Sequence, residues 1–191
     1  MGEVIIEMLK ISKALISNIY LVIFRMLRVA QSSDLSFIYR LYMHRDTNPW
    51  LLYEQMDEAS FQPIYYDLIS RELLFVFEID GQPRGMIKLL PQKFRNSHII
   101  YLGGVAIDPD HAGKGLGGAM IAEAIDLAQG RGFSRIELTV ATINKRAVCL
   151  YEKLGFVNEG VLRNYTYLSR EEKYIDEYVM SLLIPTGKPK N

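Results

Sequence analysis

The sequence has very few of the residues that build covalent crosslinks or metal sites. Cys149 is the only cysteine in 191 residues, and there are three histidines. A single thiol excludes a disulfide within the chain and a zinc site built from several cysteines. The histidines are too scattered to suggest a metal site by themselves. We therefore expect no metal, and a reducing compartment such as the cytoplasm.

The chain also lacks an excess of charge and a long apolar run. Lysine plus arginine and aspartate plus glutamate number 22 each, so the formal net charge is zero. This balance does not indicate nucleic acid or an anionic membrane as a partner. The apolar stretch at residues 14–24 is too short to span a bilayer. The remaining composition is that of an ordinary globular domain with a sizeable core.

The first segment differs from the rest of the chain. Residues 1–25 loosely resemble a signal peptide, but no small-x-small cleavage site follows them. We predict an N-terminal extension outside the core domain, arising from a translation start placed upstream of Met26. A helix docked on the domain or on a partner is the alternative. A single domain is expected over residues 26–185, followed by a frayed tail at residues 186–191.

From Met26 onward, hydrophobic periodicity and turn residues predict seven strands and four helices. The predicted strands are 27–30, 72–79, 84–91, 98–107, 135–141, 156–168 and 174–184. The predicted helices are about 34–43, 57–70, 115–129 and 144–154. The strand–loop–helix–strand order between residues 98 and 141 predicts one parallel crossover unit. A polar and aromatic loop at residues 47–55 either shapes a substrate cleft or covers the core.

The most informative stretch joins the fourth predicted strand to the third predicted helix. It reads Val105-Ala-Ile-Asp-Pro-Asp-His-Ala-Gly-Lys-Gly-Leu-Gly-Gly118. A loop without Cβ atoms can bring its N–H groups close to an anion, and the helix N-terminus adds unpaired donors. We predict a diphosphate site here. The Gly113-x-Gly115-x-x-Gly118 spacing also fits a dinucleotide fingerprint, which leaves an NAD(P)-binding oxidoreductase as an alternative.

Two motifs together resemble those of the GNAT superfamily of acyl-CoA-dependent N-acetyltransferases. Val105-Ala-Ile-Asp-Pro with Gly113-Lys-Gly-Leu-Gly-Gly118 is similar to its motif A, and Asn144-Lys-Arg-Ala-Val-Cys-Leu-Tyr-Glu-Lys-Leu-Gly-Phe156 to its motif B. Residues 174–183 are similar to the last strand of members that act on protein N-termini, ribosomal proteins or small amines. The resemblance implies a mixed α/β fold, with a mostly antiparallel sheet of six or seven strands, a central splay and about four flanking helices. Ala112 departs from the arginine or glutamine that often precedes the loop.

The resemblance also implies acetyl-CoA as the co-substrate. Its diphosphate would be held by loop N–H groups, and its pantetheine arm would pair with the strand before the loop. The implied cofactor-binding residues are Val105, Ala106, Ile107, Gly113, Lys114, Gly115, Leu116, Gly117, Gly118 and Asn144. Asn144 could equally be a plain helix N-cap. A bulge at Gly103-Gly104 would splay the strand and turn an N–H group, that of Val105, toward the thioester oxygen.

Tyr151 in motif B is the predicted general acid, because a phenol keeps its proton at neutral pH and can donate it to a leaving thiolate. Glu54 is the predicted general base, chosen for its place in the presumed acceptor loop. The other candidates for the base are His44, His98 and Glu137.

Cys149 lies about 200° around the helix from Tyr151, which argues against an acyl-enzyme intermediate on that thiol. We predict direct transfer in a ternary complex, with Cys149 as ordinary packing. The expected acceptor is a primary amine on a small molecule, a peptide N-terminus or a lysine. The strand-rich end could pair in a homodimer. A non-catalytic acyl-CoA sensor with the same fold is a further alternative.

Overall fold

The computed structural model describes residues 26–185, which form one seven-stranded sheet and four α-helices. The strands are β1 (Leu27–Val29), β2 (Leu74–Ile79), β3 (Gln82–Pro91), β4 (Ile99–Ile107), β5 (Arg135–Ala141), β6 (Val157–Leu168) and β7 (Lys173–Leu183). The helices are α1 (Leu35–Met43), α2 (Glu58–Ser70), α3 (Leu116–Gly130) and α4 (Lys145–Lys153). The predictions for residues 1–25 and 186–191 lie outside the described residues.

The predicted elements all occur, and their ends move by at most two residues. Two of the four helix starts are fixed by side chains that satisfy free N–H groups. The carboxylate of Asp57 accepts from the N–H of Ser60 ahead of α2, and Asn144 accepts from the N–H of Ala147 ahead of α4. Both are N-caps. Across residues 26–185, no helix combines the length and apolarity needed to cross a membrane.

The strand order in the sheet is β1-β2-β3-β4-β5-β7-β6. Among the described residues, β4 and β5 pair in parallel and the other neighbouring strands pair antiparallel. The predicted mixed, mostly antiparallel sheet is therefore confirmed, with α3 as the crossover between β4 and β5. A doubly wound dinucleotide fold needs several consecutive parallel strands. The NAD(P)-binding alternative is therefore wrong.

Hydrophobic cores cover both faces of the sheet. Successive side chains of a strand point to opposite faces, and β2 supplies Phe75 and Phe77 to one core and Leu74 and Val76 to the other. The first core packs under α3 and α4, and the second under α1 and α2. Each fully buried large apolar side chain contributes about 1.5–3 kcal/mol. The two cores fix one pair of helices to each face of the sheet, and the central strands β4 and β5 lie between these two layers.

The centre of the sheet opens between β4 and β5. Their ladder covers only Ile99–Tyr101 of β4, within the described pairings, while β4 pairs with β3 as far as Ile107. In that second ladder the register shifts, so that Gly104 and Val105 together stand opposite Ile87. Gly104 has φ +58, a left-handed conformation. This is a β-bulge with glycine at its strained position. The predicted splay is confirmed.

Candidate active site

A cleft of about 670 Å³ extends from the open edge of β4 to the glycine-rich loop. Most of the predicted cofactor-binding residues line it, namely Val105, Ala106, Ile107, Gly113, Gly115, Leu116, Gly117, Gly118 and Asn144. Lys114 is exposed and is not among the lining residues. We call this space the cofactor cleft.

The glycine loop takes its shape from its first two glycines. Gly113 and Gly115 have φ +81 and +79, which side chains rarely tolerate. Gly115 is also the N-cap of α3, and no side chain caps that helix end. The first N–H groups of a helix have no partner inside the helix. The loop therefore brings uncapped donors to the wall of the cofactor cleft.

The charges around the cofactor cleft suit an anion. Arg146 and Lys153 of α4 line it, together with one carboxylate, that of Asp46. The Nδ1 atom of His111 is buried without a hydrogen-bond partner among the described residues, 4.0 Å from the Asp108 carboxylate. Asp108 is buried and pairs with Arg40 at 3.0 Å, which anchors the start of the loop. Uncapped N–H groups beside two cations fit a diphosphate.

A second space of about 360 Å³, the acceptor cavity, adjoins the cofactor cleft at the splay. The residues that line both spaces are Trp50, Val105, Asn144, Ala147 and Tyr151. The predicted loop contributes residues 49–52 to the acceptor cavity. Tyr53 of the same loop instead packs on Tyr42, with ring centroids 5.0 Å apart. The loop therefore both shapes a cavity and covers the core.

Tyr151 lies where the two spaces meet. The side chain is 7% exposed and its ring contacts Phe156 edge-on, with centroids 5.6 Å apart. Burial, with a smaller effect of Tyr101, raises the pKa of Tyr151 well above its usual value. The phenol is therefore neutral throughout the physiological range. The position of Tyr151 is compatible with the predicted proton donor and equally with a tyrosine that only packs in the core.

Two other residues of motif B, Asn144 just ahead of α4 and Cys149 within it, also line the cofactor cleft. The Asn144 side chain accepts a hydrogen bond from the N–H of Ala147 at 3.1 Å, so it is an N-cap that also lines both spaces. Cys149 is exposed and lines the cofactor cleft. The prediction that it is ordinary packing is wrong, because α4 buries the face that carries Tyr151 and Cys149 lies far around the helix from it.

Tyr101 bridges the open part of the sheet, which the sequence did not indicate. Its hydroxyl lies 2.9 Å from Oγ1 of Thr139 and accepts a hydrogen bond from the Thr139 N–H at 3.3 Å. The Tyr101 phenol thus accepts a hydrogen bond from a backbone N–H group of β5 that lies beyond the β4–β5 ladder. Gly103 gives the ring room, since a Cβ there would lie 3.1 Å from a Tyr101 ring carbon. Burial raises the pKa of Tyr101.

The predicted general base is not brought to Tyr151. Glu54 is exposed, accepts a hydrogen bond from the hydroxyl of Ser169 and lines neither space. The other candidates, His44, His98 and Glu137, do not line either space. Glu177 of β7 does line the acceptor cavity, and Thr166 donates a 2.6 Å hydrogen bond to it. The sequence does carry one signal for Glu177, since it is a glutamate inside a predicted strand of mainly apolar residues.

Lys88 is a second residue that the sequence reading missed. It is 5% exposed and lines the acceptor cavity. The signal was a lysine within the apolar run Met86-Ile-Lys-Leu-Leu90 of a central strand. Over residues 26–185, no group of three or more histidine, cysteine, aspartate or glutamate side chains could hold a metal ion.

Comparison with known proteins identifies the family. The sequence profile of the Acetyltransferase (GNAT) family matches residues 35–156, and the chain belongs to that family. The sequence is 33% identical over 94 residues to an uncharacterised N-acetyltransferase of Methanocaldococcus jannaschii, covering 48% of this chain and 42% of that protein. It is 41% identical over 61 residues to a ribosomal-protein-alanine N-acetyltransferase of Escherichia coli, covering 32% of this chain and 41% of that protein. The matches thus span about two fifths of these relatives' length.

Among solved structures, the fold is similar to that of a spermidine N-acetyltransferase from Vibrio cholerae in complex with CoA and spermine. The TM-score is 0.74 and the identity 27%, over 82% of this chain and 94% of that chain. The fold of a protein from Salmonella typhimurium described as a putative acetyltransferase, determined with acetyl-CoA, is also similar, with a TM-score of 0.70 and 20% identity over 86% of this chain and 96% of that one.

Proposed function

We propose that the protein is an N-acetyltransferase that moves an acetyl group from acetyl-CoA directly to a primary amine. The observation that carries this proposal is the junction of the cofactor cleft and the acceptor cavity at Val105 and Tyr151. A thioester and an amine that enter from the two spaces would meet there, beside a buried phenol. Family membership supports the reaction class.

The residues present fit acetyl-CoA. N–H groups of residues 113–118 would hold its diphosphate, with Arg146 and Lys153 as the nearby cations. The backbone of residues 105–107 has no ladder with β5, so it would pair with the pantetheine amides as a further strand would. The Lys114 side chain is exposed, and its backbone N–H is one of those that would bind the diphosphate.

The reaction is an acyl substitution. The amine nitrogen attacks the thioester carbonyl carbon, the C–N bond forms, and the C–S bond breaks. The Val105 N–H would donate to the oxygen that becomes negative, and a fixed donor of this kind contributes about 3 kcal/mol to the transition state. Tyr151 would give its proton to the departing sulfur, and its phenolate would regain one from the attacking nitrogen, which loses a proton as the amide forms.

An alkylammonium must lose a proton before its nitrogen can attack. We propose that Glu177 takes up this proton, directly or through a water molecule, because it is the only carboxylate among the described residues that line the acceptor cavity. Glu54, the base predicted from the sequence, lies outside that cavity and becomes the comparison for the test of Glu177.

The experiment that tests the function has two measurements. Acetyl-CoA is titrated into the protein by calorimetry, and release of free thiol is followed over a panel of polyamines, amino acids and N-terminal peptides. Amine-dependent thiol release would support the enzyme. Heat of binding without thiol release from any amine would favour the acyl-CoA sensor instead. Absence of heat would refute both.

We also propose a cytoplasmic protein that acts without nucleic acid or a membrane, in keeping with its neutral net charge and single cysteine. A homodimer through the edge strand β6 is our proposal for its assembly. Val161 and Tyr165 on that strand are large apolar residues that are at least half exposed. Light scattering would measure the mass, and a monomer at micromolar concentration would refute the dimer.

A further inference from the structure

Lys88 is a buried cation without a counter-ion. It lies on β3 opposite Gly103 and is 5% exposed. Among the described residues its ammonium contacts aromatic rings rather than a carboxylate, with Nζ 4.9 Å from the ring centroid of Tyr53 and 6.0 Å from that of Tyr42. Burial lowers the pKa of Lys88. Burying a charge without an ionic partner costs free energy. An anion that reaches the Lys88 ammonium would therefore be bound favourably.

A second unsatisfied donor lies beside Lys88. Tyr42 is fully buried, and its hydroxyl has no hydrogen-bond partner in the described part of the chain. Both groups surround Gly104, where a Cβ would lie 2.9 Å from the Tyr42 hydroxyl and 3.0 Å from Cε of Lys88. The bulge glycine therefore leaves room for the Tyr42 hydroxyl and the Lys88 side chain to approach the β4 backbone closely. An ammonium and a phenol that both lack an acceptor suit an oxyanion.

The acceptor cavity reaches this place. Lys88 and Gly104 both line it, and Glu177 is the other charged residue among its described lining. Lys88 lies on β3 and Glu177 on β7, and β4 and β5 stand between these strands in the sheet. The cavity thus has one positive and one negative side chain on different strands. A small molecule with an ammonium and a carboxylate would match both.

We propose that Lys88 forms an anion-binding subsite of the acceptor cavity, and that the acceptor is a small amino carboxylate rather than a polyamine. This inference rests on the proposed acetyl transfer. Glu177 would face the amine, and Lys88, beside Tyr42 and Tyr53, would bind the carboxylate. The cavity volume of about 360 Å³ suits a molecule of amino-acid size.

The test compares acceptors with and without the carboxylate, and it reads KM as well as kcat/KM because amidation also lowers the pKa of the amine. Glycine, leucine, phenylalanine and glutamate are each compared with their α-amides, which keep the amine and lose that charge. Wild-type protein should acetylate the better amino acids with a kcat/KM at least about tenfold above that of the amide, through a lower KM. Amides or polyamines that match or exceed every amino acid would overturn the proposal.

The variant Lys88→Met keeps the unbranched side chain, shorter by one heavy atom, and removes the charge. It should abolish the preference for the carboxylate by raising KM for amino acids, with kcat/KM for the amides within about twofold of wild type. Lys93→Met, at an exposed lysine just after β3, is the matched control and should behave as wild type. Equal slowing with both kinds of acceptor would instead assign Lys88 to the chemical step and overturn the subsite.

Binding is measured separately from turnover. Each amino acid and its amide are titrated by calorimetry into wild-type and Lys88→Met protein in the presence of CoA. The wild type should bind an amino acid about tenfold more tightly than the variant does. Equal affinities would refute the subsite even if acetyl transfer occurs. Charge-dependent affinity without any thiol release would support the subsite and refute the enzyme, so the two failures are distinguishable.

Discussion

The Tyr151 phenol faces a demanding proton transfer. A free phenol has a pKa near 10 and a free thiol about 8.5, so moving a proton from phenol to thiolate is uphill by roughly 2 kcal/mol in water. Burial raises the pKa of Tyr151 further. The transfer becomes favourable only if the thiolate is desolvated in the same place, which raises the thiol pKa as well. Tyr151 is therefore suited to donate while the C–S bond breaks, and stays neutral in the resting protein.

Replacing Tyr151 by phenylalanine removes this donor and little else, because its hydroxyl makes no hydrogen bond to another described residue. We expect kcat to fall by about 10²–10⁴, with acetyl-CoA affinity within about threefold of wild type. Thiol release and calorimetry measure the two effects. Tyr174→Phe, at an exposed residue of β7, is the control. Unchanged turnover in Tyr151→Phe would remove the residue from the mechanism.

The raised pKa of Tyr151 also predicts the pH dependence of kcat. Loss of the acid would lower the rate only above the pKa of the phenol, which burial moves upward. No alkaline decrease of kcat from this group is therefore expected up to about pH 10, the value for an exposed phenol. A decrease centred near neutral pH that vanishes in Tyr151→Phe would contradict this assignment.

Glu177 and Glu54 form a matched pair for testing the base. Glu177→Gln keeps the hydrogen bond from Thr166 but cannot take up a proton, so we expect kcat/KM for the amine to fall by about 10²–10³. Glu54→Gln should stay within about twofold of wild type, because its side chain lies outside the acceptor cavity. Steady-state kinetics near pH 7 measures both. Loss of activity in Glu54→Gln alone would reverse the assignment.

At the scale of the secondary-structure elements, β4 determines the shape of the active site. Its ladder with β5 ends at Tyr101 and its bulge follows at Gly104-Val105, while the Tyr101 hydroxyl accepts the hydrogen bond of the Thr139 N–H. As a result, part of β4 has an unpaired edge in the middle of the sheet, with the bulge and the Tyr101 phenol beside it. A regular ladder between β4 and β5 would leave no place for a pantetheine arm.

Gly104→Ala tests this role of the bulge. Its φ of +58 is unfavourable for alanine, and the new Cβ would lie 2.9 Å from the Tyr42 hydroxyl. We expect a loss of about 1–3 kcal/mol in the free energy of unfolding, together with lower turnover. Urea denaturation and thiol release provide the measurements. Gly160→Ala on β6 is the control, since a Cβ there meets nothing within 4 Å. Equal stability of both variants would refute the strained bulge.

The elements could be predicted from the sequence because each has a local signal. Asp57 and Asn144 fix helix starts through hydrogen bonds to N–H groups three residues later, and the glycine loop is one continuous segment. The roles of Glu177 and Lys88 depend on strand order instead. β7 inserts between β5 and β6 and brings Glu177 opposite Ala141. No local pattern specifies that insertion, so the sequence alone does not place Glu177 in the acceptor cavity.

At the scale of the whole molecule, side chains tie together the three strands at one end of the sheet. Arg135 of β5 pairs with Glu137 at 2.6 Å and donates to Glu159 of β6 at 3.0 Å, across β7. Ser181 of β7 donates to the same carboxylate at 2.6 Å. These contacts link the exposed edge strand β6, which carries few buried side chains, to the centre of the sheet.

The Arg135 and Ser181 hydrogen bonds lower the pKa of Glu159 from 4.5 to about 2. A carboxylate with a depressed folded-state pKa stabilises the fold above its unfolded pKa, and this contribution is lost as the pH falls through the folded value. The Glu159 side chain is 41% exposed, so screening by solvent limits the contribution to about 1 kcal/mol or less. Glu159→Gln should therefore be less stable than wild type at pH 7, and the difference should shrink between about pH 4.5 and 2. Urea denaturation at pH 7, 5 and 3.5 measures it, with Glu171→Gln in the exposed β6–β7 turn as the control. A difference that grows on acidification would show that Glu159 does not stabilise the folded protein as a carboxylate.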